Sequence, residues 1–140
     1  MGTIEVFDHT ADAGLRIKAG DLNDLFVTAA EGLFDYVVAN REAVQIARTE
    51  VLTLRSDSTA DLLVDWLNEL IFRCETQHVL FGDFDVKVSR DGLSLEAEIG
   101  GQEIDRDRHI LDHEVKAVTH HGVSLEREGE EWVAEVILDI

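Results

Sequence analysis

The 140-residue chain has no proline, a single cysteine and only three lysines. Each shortage narrows the choices. Without proline, every turn must rest on Gly, Asp or Asn, which reach turn conformations through positive φ or local side-chain hydrogen bonds. A lone cysteine, Cys74, rules out an internal disulfide framework and suits a reducing cytoplasm. No apolar run approaches the roughly 18–20 residues that cross a bilayer as a helix. Strand-like alternation begins by Thr3, so no charged-then-apolar leader is expected. The chain also lacks a Gly-rich Lys-Ser/Thr phosphate loop, a GxGxxG turn and a Gly-x-Ser-x-Gly elbow, so it carries no recognisable equipment for binding a nucleotide alone.

Positive charge is scarce too. Thirty Asp and Glu against twelve Lys and Arg leave a net charge of −18. Such a surface repels phosphate backbones and argues against broad direct nucleic-acid binding. It favours cations or a basic protein partner. It equally fits a high-salt habitat, where repulsion is screened.

The hydrophobic fraction, 45%, is that of a globular protein, and the length suits one domain over residues 1–140. Thr3–Phe7 and Leu15–Lys18 alternate like half-buried strands. Asp21 is placed as an N-cap for a helix running through Ala39, with Leu22, Leu25, Phe26, Ala29, Leu33 and Val37 on one stripe. Glu42–Arg55 reads as a long strand or strand pair. Ser58-Thr59-Ala60-Asp61 resembles a capping box. The apolar stripe behind it (Leu62, Leu63, Trp66, Leu67, Leu70, Ile71) predicts a second helix to about Glu75.

His78–Phe81 and Phe84–Arg90 read as separate strands. Asp91-Gly92 then signals a two-residue hairpin, and a regular strand from Leu93 to Ile99 ends at Gly100-Gly101. Gln102–His113 is polar and reads as a surface loop. Val115–Arg127 is a strand that bends at Gly122. Trp132–Leu138 is apolar on both faces and therefore central or covered. Two helices among mostly antiparallel strands define an α+β fold, a mostly antiparallel or mixed sheet with both helices packed on one side.

The stretch Asp8-His9-Thr10-Ala11-Asp12-Ala13-Gly14 lies between the first two strands and carries most of the polar chemistry. At the other end, Asp139 lies one residue from the α-carboxylate of Ile140. Convergence of Asp12, Asp139 and the Ile140 carboxylate would bring together oxygen ligands only. That set suits Ca²⁺, Mg²⁺ or Mn²⁺ and not Zn²⁺. The alternative is a turn aspartate bonding its own backbone and a frayed tail.

His9 and Thr10 could orient that turn. Lys116, within Val115-Lys116-Ala117-Val118, is either an exposed strand lysine or a partner for an anion. His109, His113, His120 and His121 lack the helical setting and second cysteine that a soft zinc site needs. Cys74 has the setting of a packed thiol.

These residues resemble the archease family from end to end. The resemblance rests on six stretches in order. They are Asp8-His9-Thr10-Ala11-Asp12 with Gly14; Leu25-Phe26 through Ala29-Ala30-Glu31-Gly32-Leu33-Phe34; Asp61 through Leu70; Arg108-His109; Glu114 through Thr119; and the closing Leu138-Asp139-Ile140. Two positions depart from the family pattern: Ala13, where a larger aliphatic residue is usual, and Gln102, within Gly-Gln-Glu.

The resemblance implies a small cytoplasmic protein that is not itself an enzyme. It would activate an RtcB-type RNA ligase in tRNA splicing and RNA repair, promoting guanylylation of the ligase and repeated turnover. It implies a divalent metal ion held by Asp12, Asp139 and Ile140, and a functional role for Lys116 beside the cofactor. Two rivals make different predictions. A general chaperone or assembly scaffold gripping partners with its acidic face would keep its activity without the metal residues and lose binding in high salt. A small metal-dependent hydrolase would turn over phosphoesters unaided.

Overall fold

The computed structural model describes residues 2–9 and 12–140. Strand β1 (Thr3–His9) pairs antiparallel with β2 (Asp12–Ala19), from Thr3↔Lys18 to His9↔Asp12. Both strands run further toward their connection than the alternation predicted. Residues 10 and 11, where Thr10 was expected to orient the turn, lie outside the described residues, and so does the side chain of His9.

Helix α1 (Leu22–Val37) starts where expected, because the Asp21 carboxylate accepts the Asp24 N–H at 2.8 Å and satisfies an otherwise orphan donor. Helix α2 (Thr59–Gln77) is capped in the same way by Ser58, whose hydroxyl accepts from Asp61 N at 3.1 Å. It ends on His78, held in the left-handed region at φ 54°. Between the helices, only Arg48–Arg55 forms strand β3; residues 41–43 make a single 3-10 turn. The expected long strand from Glu42 fails because its first half meets no partner strand. Val44 and Ile46 instead lie over Gly82 and Gly100, where the missing side chains leave room for them.

Strands β4 (Val79–Val88) and β5 (Ser94–Glu103) follow. The two strands expected before Asp91 are one, interrupted by a bulge between Phe81 and Asp83. The turn after it is longer than two residues: Ser89 N donates to Ser94 O at 2.8 Å, with Gly92 at φ 75°. Gly100-Gly101 does not end β5. A Cβ at Gly101 would run into the Leu80 carbonyl, so this glycine lets the bulged neighbour pass close, and pairing continues to Val79↔Glu103.

The last two strands are β6 (Ala117–Glu128) and β7 (Glu131–Asp139). Among the described residues, the strands divide into two antiparallel sheets rather than one, ordered β1-β2-β7-β6 and β3-β5-β4. Strand β7 is central in its sheet, as its two-sided apolar pattern requires. Both helices touch strands of both sheets. The class is therefore α+β, with a helical layer taking up one face of each sheet.

The core follows from strand alternation. Ala13, Leu15, Ile17 and Ala19 of β2, with Ala134, Val136 and Leu138 of β7, turn inward onto Leu25, Phe26, Ala29 and Leu33 of α1. Trp66 of α2 is fully buried and donates its indole N–H to Phe26 O at 3.0 Å, pinning one helix to the other. No helix among the described residues is long and apolar enough to cross a membrane.

Candidate metal centre

The β2–β7 register decides where the acidic residues go. Ala13 faces Leu138, Gly14 faces Ile137 and Leu15 faces Val136. One step beyond the last of these pairs come Asp12 on β2 and Asp139 on β7. Since Ala13 and Leu138 point into the core, alternation turns both aspartates onto the outer face of the sheet. Like charges brought together on one face are unfavourable unless a cation or proton intervenes.

The two aspartates open onto one pocket of about 410 Å³, lined by Phe7, Asp12, Thr119, His121, Gly122, Glu135, Ile137 and Asp139. The Phe7 ring lies over Gly14, where a Cβ would clash with it. The third acid, Glu135, is already engaged: Arg16 Nε donates to its Oε2 at 2.7 Å. That bond also holds the Arg16 guanidinium pKa above its usual value.

The far wall is made by an irregularity in β6. Thr119 faces Ile137 and Ser124 faces Glu135, so residues 120–123 stand against Val136 alone. Gly122 supplies the turn at φ 82°, and Thr119 Oγ1 accepts from His121 N at 3.0 Å. Bulges re-aim side chains. This one brings His121 to the pocket. The sequence signalled a bend at Gly122, but composition said nothing about which histidine it would carry.

The other predicted residues are placed as follows. Ile140, 41% exposed, directly follows Asp139. Lys116 is exposed; its backbone N–H donates to Asp139 O at 2.8 Å, tying the segment to the end of β7, and its side chain is not among the pocket residues. The remaining histidines scatter. His109 is buried in the loop expected to be surface, His113 stacks on Tyr36 with ring centres 4.1 Å apart, and His120 Nδ1 lies 3.0 Å from Asp61. Cys74 is half-buried, and desolvation pushes its thiol pKa up to about 11.

Among the described residues, no three His, Cys, Asp or Glu side chains gather as a ready-made metal cage. Two carboxylates lining one pocket with room for several waters nevertheless fit a hard cation, which takes oxygen donors and keeps waters in its shell.

The architecture is thus an α+β protein with an acidic pocket at the end of a central strand pair. Comparison with known proteins gives it a family. The model of the Archease protein family (MTH1598/TM1083) matches residues 4–140. Protein archease of Methanopyrus kandleri is 39% identical over 138 residues, covering 97% of this chain and 98% of its own. The Methanothermobacter thermautotrophicus archease is 38% identical, with both chains covered in full (100%). The solution structure of Methanobacterium thermoautotrophicum protein 1598 superposes with a TM-score of 0.81 at 35% identity, over 98% of both chains. An archease of Thermotoga maritima, described as a possible chaperone, shares the fold with a TM-score of 0.68 at 18% identity over 96% of this chain and 94% of its own. The chain belongs to the archease family.

Proposed function

We propose that this protein activates an RtcB-type RNA ligase in the cytoplasm, acting as a partner protein and not as an enzyme in its own right. One observation carries the reading: Asp12 and Asp139, from opposite ends of the chain, line the same pocket at the end of the central strand pair. In the proposal, both carboxylates and the Ile140 α-carboxylate hold a divalent cation, Ca²⁺, Mg²⁺ or Mn²⁺. Such an ion supplies positive charge for phosphate oxygens.

The chain's own contribution is placement. The paired strands β2 and β7 carry the two aspartates to one pocket, and the Lys116–Asp139 backbone bond holds the end of β7 against the preceding loop. Lys116, exposed beside this end, offsets the local negative charge or meets a phosphate of the ligase-bound nucleotide. The acidic surface keeps RNA itself off the protein. Docked at the mouth of the ligase active site, the pocket would promote guanylylation and permit repeated turnover in tRNA splicing and RNA repair.

The test is a multiple-turnover ligation assay with the cognate ligase. Wild-type protein should stimulate it, and Asp12→Ala and Asp139→Ala should not. Equal stimulation by the variants would remove the proposal. It would favour the chaperone reading, which draws on the description of the Thermotoga maritima protein and on the −18 surface.

A further inference from the structure

A second cavity lies away from the acidic pocket, between the last turns of the two helices and the segment leading into β6. Its volume is about 130 Å³, and its walls are Leu33, Phe34, Val37, Ile71, Cys74 and Val115. An apolar protein cavity of about 150 Å³ stays dry and takes up one benzene-sized molecule. This one is therefore sized for a single apolar side chain.

Two glutamates, Glu75 and Glu114, complete the lining. Neither forms an ion pair among the described residues. Phe72, one helical turn before Glu75 and so beside it on the surface of α2, leaves 60% of its area in solvent. An apolar hole and an acidic rim thus lie together, with the exposed Phe72 ring beside Glu75 on α2. Exposed apolar surface rimmed by polar groups marks interaction sites.

From this combination we propose that the cavity is the anchor point for a partner protein. Its occupant is one aliphatic or aromatic side chain projecting from a segment flanked by Lys or Arg. The rim selects the flanks: opposite charge satisfies Glu75 and Glu114, whereas a second copy of this −18 chain would bring more acid against them. The position suits a shared interface. Val115 lines the cavity, and the next residue, Lys116, is bonded through its backbone to Asp139. One backbone step and one hydrogen bond thus separate a wall residue of the cavity from a wall residue of the acidic pocket. In identifying the partner with the ligase, the inference rests on the function proposed above; the cavity and its rim do not.

Two probes separate the ideas. The first is a synthetic peptide with one central leucine flanked by lysines, compared with the same peptide flanked by glutamates. Methyl NMR of Leu33, Val37, Ile71 and Val115 reports occupancy directly. The lysine-flanked peptide should shift these methyls and the glutamate-flanked one should not. Cys74→Phe, which fills the hole, and the surface pair Glu75→Lys with Glu114→Lys, which leaves the core untouched, should each weaken binding tenfold or more. Failure of the lysine-flanked peptide to shift the methyls, or binding that ignores the rim reversal, overturns the inference. So does sedimentation showing a dimer that Cys74→Phe abolishes.

The second probe is the purified ligase. If it binds wild-type protein and both variants lose tenfold in affinity while Mn²⁺ binding at Asp12 and Asp139 is unchanged, the anchor serves that partner. If it binds all three equally, the anchor does not contact the ligase and that part of the inference falls. If the ligase does not bind wild type while the peptide does, the proposed function fails and the anchor stands.

Discussion

His109 Nε2 lies 3.0 Å from Gln102 Oε1, and the histidine is 2% exposed. The ring's other nitrogen, Nδ1, accepts the Asp105 N–H at 3.0 Å, so Nε2 carries the proton and donates it to Gln102. The same glutamine oxygen accepts Gln45 N–H at 2.7 Å. One side chain therefore ties the 104–116 loop, strand β5 and the segment before β3 together. Gln102 is a structural junction here.

That junction makes a prediction. Gln102→Ala strands a buried imidazole N–H and should lower stability by about 1–3 kcal/mol. Gln102→Glu keeps an acceptor and should cost less. Urea unfolding of the two variants checks the order; equal losses would mean that the oxygen is not the important atom.

Cys74 gives a pH dependence with a definite sign. Burial raises its thiol pKa from 9.0 to about 11 in the folded state. Between those values the unfolded chain has released the proton and the folded chain retains it, so stability falls as pH rises. The contribution is intact below pH 9 and is lost across pH 9–11, up to about 2.7 kcal/mol for two units. Other groups titrate there too, so the readout is the difference between wild type and Cys74→Ala. The wild-type curve should fall more steeply across that window, and parallel curves would contradict the burial argument.

What the sequence disclosed followed the range of the forces involved. Both helices were legible because caps and stripes are local: Asp21 and Ser58 bond within three residues of themselves. The central place of β7 was legible because apolar residues on both faces leave a strand few other positions. The failures were all non-local. Gly100-Gly101 looked like a stop, but Leu80, from the neighbouring strand, makes the small residue necessary. The charged run around His109 looked solvated, but Gln102 and the Asp105 backbone satisfy the imidazole inside. Asp12 and Asp139 meet at one pocket because β2 and β7 pair, whereas His121 reaches the same pocket only through a bulge that the alternation did not reveal.

Glu135 should modulate the acidic pocket from its edge. Arg16 neutralises it through a 2.7 Å bond and also lies 3.6 Å from Glu5. Exposed pairs of this kind contribute little to stability. Arg16→Leu should therefore leave the fold intact while adding an uncompensated carboxylate to the pocket lining. Divalent-cation affinity should rise severalfold at low ionic strength, and the gain should shrink as salt screens it. Calorimetric titration with Mn²⁺ measures both; an unchanged affinity would place the cation out of reach of Glu135.

The acidic pair itself can be tested without the ligase. A ligand that binds only the folded state stabilises it by about 2.7 kcal/mol at one hundred times its Kd. In a domain of this size each kcal/mol moves Tm by a few degrees, about 2–4 °C at 150 residues. Wild-type protein titrated with Ca²⁺, Mg²⁺ or Mn²⁺ should gain that stability with at least one of them, and a chelator should reverse it. Asp12→Asn and Asp139→Asn keep the side-chain shape and remove the charge. Without added metal, Asp139→Asn should be as stable as wild type or more so, because a second carboxylate no longer repels Asp12 across the pocket. With metal, their Tm should not move. Extending the chain by one glycine after Ile140 moves the α-carboxylate away and should reduce the metal-dependent shift while leaving the metal-free Tm unchanged. A wild-type Tm that ignores all three cations, or variants that respond as wild type does, would leave the two aspartates as neighbours without an ion to share.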